Sequence, residues 1–242
     1  MSHAWALGAL VIFGAHVVFG VAGFGTGLVA MAFLPFVMTP ADAVVLMTVL
    51  TIIFAVVLFV PLRRDAAPRG IVGLTIGSVI GTPAGVWILA VAPADLVTRL
   101  IGGMLVAVVI VDFAGKFPRR PGAPGWGLGA GILAGLLGGA VGLPGPPTIV
   151  YAATQDWSPR TFKANLQAFF VVNQGVILVG YWMAGLVTAE VTRLTVVYLL
   201  PALAGTLVGM SVFNRIDPVR FRRIVFALLF VSGAILLVRG SG

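Results

Sequence analysis

The sequence predicts an all-α, polytopic membrane protein made of two inverted-topology helical repeats, each opening with a broken helical hairpin. Three observations lead there: a strongly apolar composition, a glycine-and-proline break that occurs twice, and a one-sided distribution of Lys and Arg. The chain is 60% hydrophobic and 9% charged, with a mean hydropathy of +1.13. A soluble domain carries roughly 25% charged residues. Stretches nearly free of charge run 42–62, 69–91, 95–111, 164–189 and 194–213, each near the roughly 17–25 residues that cross a bilayer. Residues 1–10 carry no basic run, so they are expected to begin a retained span rather than a cleaved signal peptide.

The first hairpin is expected over 4–38. Its break is Gly23-Phe24-Gly25-Thr26-Gly27, and Pro40 follows seventeen residues after Gly23. The second hairpin, 126–155, breaks at Gly142-Leu143-Pro144-Gly145-Pro146-Pro147, with Pro159 seventeen residues after Gly142. Backbone that leaves helical geometry at membrane depth exposes N–H and C=O groups that lipid cannot satisfy, so such breaks survive where they line a site or a cavity. Paired breaks in two halves are the best sequence-level pointer to a transporter's binding site. Each break should open a short half-helix, 28–38 after Gly27 and 147–155 after Pro146. Their N-termini would offer free N–H groups and partial positive charge to an anion. Neither break is a nucleotide loop, because the Lys-Ser/Thr of a phosphate loop is missing.

After each hairpin a helix starts the same way. Thr39 precedes Pro40 and Asp42, and Ser158 precedes Pro159: an N-cap hydroxyl, then proline at the first helical position. Gly81, Gly85 and Arg99 correspond in order to Gly205, Gly209 and Arg223. The polar stretch 115–125 divides a first repeat, 1–114, from a second, 126–242. Gly73, Gly77, Gly81 and Gly85 recur every fourth residue, as do Gly127, Gly131, Gly135 and Gly139. These stripes predict close helix packing.

Charge orients the repeats. With both hairpins returning to their starting side, the loops 63–69, 115–120, 160–163 and 215–223 share one face and carry twelve Lys and Arg. The other face keeps Arg99, Arg193 and Arg239. Such asymmetry marks the twelve-charge face as cytoplasmic. Each half then has an odd number of inserted segments, so the halves are inverted and both termini lie outside.

The net charge of +8 is accounted for by these loops, so nucleic acid is not an expected partner. Cys is absent, which excludes disulfides, thiolate metal sites and thiol catalysis. No metal or cofactor is implied. The segment 163–184 is unusually polar for its depth: Lys163, Gln167, Phe170 and Gln174 share a face, with Asn165, Phe169 and Asn173 beside them. Amides in a membrane helix must find partners, on neighbouring helices or on substrate. Arg160 and Lys163 serve either as orientation signals or as an anion-attracting vestibule. The acidic residues sit at helix ends or loops, whereas proton-coupled carriers usually keep a carboxylate in the membrane. His16, alone in mid-span, is the titratable candidate for coupling.

Together with Gly145-Pro146-Pro147, Tyr151, Arg160, Phe169 and Phe170, the paired breaks resemble the TauE/SafE family of anion transporters, often called sulfite exporters. The likeness covers nearly the whole chain and is most specific in the second half; Thr26 interrupts the glycine run that the family shows in the first. The resemblance implies transport of sulfite or organosulfonates such as sulfoacetate across the cytoplasmic membrane, by uptake in some members and export in others. The expected site is formed by Gly25, Thr26, Gly27, Gly145, Pro146, Pro147, Thr148, Tyr151, Gln167, Phe170, Asn173 and Gln174. A passive anion channel is the alternative. An intramembrane enzyme would need paired carboxylates, a metal motif or a nucleophile–base pair, and none stands out.

Overall fold

The computed structural model describes residues 2–113, 125–212 and 218–239. Ten α-helices are described: α1 (Ser2–Ala22), α2 (Thr26–Phe33), α3 (Pro40–Leu62), α4 (Val72–Val91) and α5 (Ala94–Phe113), then α6 (Trp126–Val141), α7 (Gly145–Ala153), α8 (Pro159–Met183), α9 (Ala189–Val212) and α10 (Pro218–Arg239). No strand is present among the described residues. Among the described residues, six helices are long and apolar enough to cross a membrane, so this is an integral, multi-pass protein. The expected linker at 115–125 lies outside the described residues except for Gly125, as do the whole of the 115–120 loop and the start of the 215–223 loop.

Both breaks are where sequence placed them. Their second arms, α2 and α7, have 8 and 9 residues. At 1.5 Å per residue these are about 12–14 Å long, under half the hydrocarbon core. They are half-helices, but they begin earlier than expected, at Thr26 and Gly145 rather than 28 and 147. Proline is tolerated throughout the first turn and does not mark its first residue. α2 also ends early, at Phe33, where Leu34–Phe36 tightens into a 3-10 turn around Pro35. Both expected caps form. Thr39 Oγ1 accepts the Asp42 N–H at 3.2 Å and donates to its carboxylate at 2.6 Å. Ser158 Oγ accepts the Thr161 N–H at 3.2 Å.

The helices gather into two compact units, each drawing on both halves of the chain. The first contains 1–47, 92–114 and 188–242; the second contains 48–91 and 115–187. In the first unit α1 packs on α9, α5 packs on α10, and α2 lies against α1, α5 and α10. Glycine lets these backbones touch: a Cβ on Gly209 would stand 2.9 Å from the Gly20 Cα, and one on Gly102 2.6 Å from the Gly233 oxygen. His16 is fully buried here. Its Nδ1 lies 2.9 Å from the Ile12 carbonyl, the usual inward hydrogen bond of a polar side chain on a buried helix face.

In the second unit the two glycine stripes meet each other. α4 and α6 pack so closely that a Cβ on Gly81 would lie 2.9 Å from the Ile132 carbonyl carbon and 3.0 Å from its Cα. One on Gly85 would lie 2.9 Å from the Ala140 nitrogen, and one on Gly135 2.8 Å from the Thr82 nitrogen. Small residues at every fourth position bring backbone to backbone, and dispersion over the whole contact holds the pair where lipid supplies no hydrophobic drive.

Candidate functional site: the second break

The second unit builds a polar locus around the break between α6 and α7. α6 ends at Gly142, whose φ of 70° lies in the left-handed region that glycine enters without penalty. The N–H groups of Gly142 and Leu143 turn back to the Gly138 and Leu137 carbonyls at 3.0 and 3.2 Å. Tyr181 of α8, fully buried, donates its hydroxyl to the Gly138 and Gly139 oxygens at 3.2 and 2.8 Å. The Leu137, Gly138 and Gly139 carbonyls near the end of α6 are thereby satisfied within the protein, as backbone at membrane depth requires.

The amide end of α7 is not satisfied in this way. Pro146 and Pro147 have no N–H, and no partner is found among the described residues for the N–H of Gly145 or Thr148. The Thr148 hydroxyl donates to the Pro144 carbonyl at 2.8 Å. α7 therefore offers two N–H groups where an unsubstituted helix start offers more. In the first unit, α2 begins after Gly25 (φ 92°) with no side-chain cap. The N–H groups of Thr26, Gly27 and Leu28 have no partner among the described residues.

Gly145 is unlike the glycines around it. Its φ is not positive, and a Cβ would meet only the Ile149 Cδ1, at 3.9 Å. Neither conformation nor packing demands glycine there. Gly25, by contrast, is fixed by its left-handed backbone.

The amides of α8 are all buried: Asn165, Gln167, Asn173 and Gln174 are at most 2% exposed. The Asn173 Oδ1 accepts the Ser78 hydroxyl from α4, and its Nδ2 reaches the Gln174 Oε1 at 3.5 Å. A Cβ on Gly138 would lie 3.6 Å from that Nδ2, so Asn173 sits against the last turn of α6. Gln174 accepts that bond through its Oε1 and is itself 2% exposed. Phe170 packs on Phe169 with centroids 5.8 Å apart. Tyr151, also expected at the site, has its hydroxyl engaged elsewhere: it donates to the Gly70 carbonyl at 2.6 Å. Arg160 and Lys163 are exposed in the first turns of α8.

Sequence reasoning missed Ser78 and Tyr181. A serine in an apolar helix and a tyrosine near a span's end carry no signal until the helices that face them are known. The two neighbouring amides are expected to separate by experiment. Asn173→Leu removes the acceptor for Ser78 and should lower both melting temperature and transport. Gln174→Leu should leave stability nearly intact and weaken anion affinity roughly ten- to a hundred-fold, the value of one hydrogen bond to a charged group. Melting curves and transport affinity on both variants check this.

Half-helices in broken hairpins, set among helices of membrane-spanning length, define a polytopic membrane protein of the transporter class. The chain belongs to the TauE/SafE sulfite exporter family: residues 8–236, nearly its whole length, match the family described as "Sulfite exporter TauE/SafE". That family implies a membrane exporter of sulfite or a related anion, working in a lipid environment, and not an enzyme. No curated protein and no solved structure matches the chain.

Proposed function

We propose that the protein is a secondary carrier for sulfite or a small organosulfonate such as sulfoacetate, with the anion bound at the α7 N-terminus. The observation that carries this is Gly145, a glycine that neither backbone nor packing needs, beside N–H groups with no partner among the described residues. A ligand that must approach backbone closely explains both. The Gly145 and Thr148 N–H groups and the α7 dipole would meet the negative charge, and the Gln174 amide would add a donor from the side. Gln167 and Phe170 would shape the same face of α8. Prolines at 146 and 147 fix the start of the helix and remove N–H groups that would otherwise compete to hold the anion in several poses. Thr26, Gly27 and Leu28 offer a second such terminus within their own unit.

Inverted repeats are part of the proposal. Five described helices precede the linker and five follow it. The fourth helix of each half packs through glycine on the first arm of the other, α4 on α6 and α9 on α1. That exchange is what two halves of one ancestral design would share. The basic loops would face the cytoplasm and both termini the outside of the cytoplasmic membrane. Flux in proteoliposomes distinguishes a carrier from a channel. Sulfite movement is expected to saturate and to show counterflow; flux that rises linearly with concentration would favour a channel instead. His16 stays a candidate for coupling only as a buried imidazole in α1.

A further inference from the structure

The strap joining α3 to α4 runs through two 3-10 turns, Arg63–Asp65 and Pro68–Gly70. Arg63, Arg64 and Arg69 are exposed. Among the described residues the ion pairs are Asp95–Arg99 and Glu190–Arg193, and none of these three arginines is paired there, not even with Asp65 in the same turn. Loops that only orient a membrane protein by charge need no fixed structure. This one is tied down at three points. The Tyr151 hydroxyl donates to the Gly70 carbonyl at 2.6 Å. The Ala67 N–H donates to the Asn165 Oδ1 at 2.8 Å. The Trp157 ring lies on Gly70, where a Cβ would come within 2.8 Å of its Cζ2, and it meets Tyr151 edge-on at 6.2 Å.

Two of the anchors come from the helices that carry the proposed site, and Trp157 from the loop between them. Tyr151 is on α7 with Gly145, and Asn165 is on α8 with Gln174. Asn165 is wholly buried, and its Nδ2 has no hydrogen-bond partner among the described residues. An apolar residue would avoid that penalty, so what asparagine contributes there is the single bond to Ala67.

We propose that residues 63–70 form an anion-collecting subsite, in which Arg63, Arg64 and Arg69 gather the oxyanion on its way to α7, and Tyr151, in the C-terminal turns of α7, and Asn165 are positioning residues that hold the strap carrying them. This rests on the transport function proposed above. Charges fixed near an entrance raise the local concentration of a counter-ion and its rate of entry, by about ten-fold or more at low ionic strength. The same charges on an unanchored loop would spread over a larger volume and act less.

Uptake of radiolabelled sulfite into inside-out and right-side-out vesicles tests this. Arg63→Gln, Arg64→Gln and Arg69→Gln combined should raise KM about ten-fold on one face only, and should flatten the dependence of KM on salt. Tyr151→Phe and Asn165→Leu keep every charge. Each should raise KM on that same face about three-fold, with kcat changing less than KM. An unchanged KM in the triple variant would overturn the subsite. An unchanged KM in both anchor variants, or a loss of kcat alone, would overturn the positioning role. An absence of sulfite flux in the unsubstituted protein would instead overturn the transport function itself.

Discussion

Gly81→Val is expected to yield no folded protein. In the second unit the Cβ alone would fall against the Ile132 carbonyl carbon and Cα, at 2.9 and 3.0 Å, and two further methyls would follow. The obstruction is backbone of a neighbouring helix, which has no rotamer to adopt and must move as a whole. Moving it separates Gly77 from Gly131 and Gly85 from Gly139 along the same stripe, so the loss spreads beyond one site. Overpacking of an ordinary core costs about 1–3 kcal/mol; a contact made backbone to backbone should lie at or above the top of that range. Gly129→Ala is the control, since nothing lies within 4 Å of its added Cβ. Detergent-solubilised yield and melting temperature of the two variants decide the matter. A Gly81→Val protein that melts like the unsubstituted one would show that α4 and α6 do not pack in this way.

Gly145→Val should have the opposite profile: a folded protein that no longer moves its anion. The nearest atom to an added Cβ is 3.9 Å away, and φ is ordinary, so the fold has no reason to reject a side chain there. Valine is also tolerable in the first turn of a short helix, where it crowds no preceding turn. Its methyls would stand beside the Gly145 N–H and hold an oxyanion off the helix terminus. Transport should fall by about a hundred-fold or more, as expected when one hydrogen bond to charge and the close approach are lost together. Pro147→Ala should retain most activity, because it adds a donor and only loosens the helix start. Loss of the fold in Gly145→Val would mean that the glycine serves packing after all.

The break positions were legible in sequence because Gly and Pro act locally, and local effects can be read without neighbours. The glycine stripes were legible as packing surfaces for the same reason. Which surfaces would meet was not: α4 pairs with α6 across a gap in sequence that periodicity does not encode, and the two units interleave segments from both halves. Within the candidate site, the amides at 173 and 174 were visible as polar residues out of place. Their different tasks became apparent only with Ser78 opposite Asn173. Tyr151 looked like a ligand contact, yet its hydroxyl is engaged by Gly70, far away in sequence. The half-helix α7 was expected to present free N–H groups; Pro146 and Pro147 carry none, which leaves those of Gly145 and Thr148.

A sulfur oxyanion should bind at Gly145. A thermal-shift titration tests it most directly, because a ligand that binds only the native state raises its melting temperature. Purified unsubstituted protein and Gly145→Val would be titrated with sulfite, sulfate, taurine, sulfoacetate and matched carboxylates. Sulfite or a sulfonate should raise the melting temperature of the unsubstituted protein more than the carboxylates do, and should leave Gly145→Val, folded and otherwise equally stable, unshifted. Equal shifts in the two proteins, or no shift with any sulfur anion, would contradict the assignment.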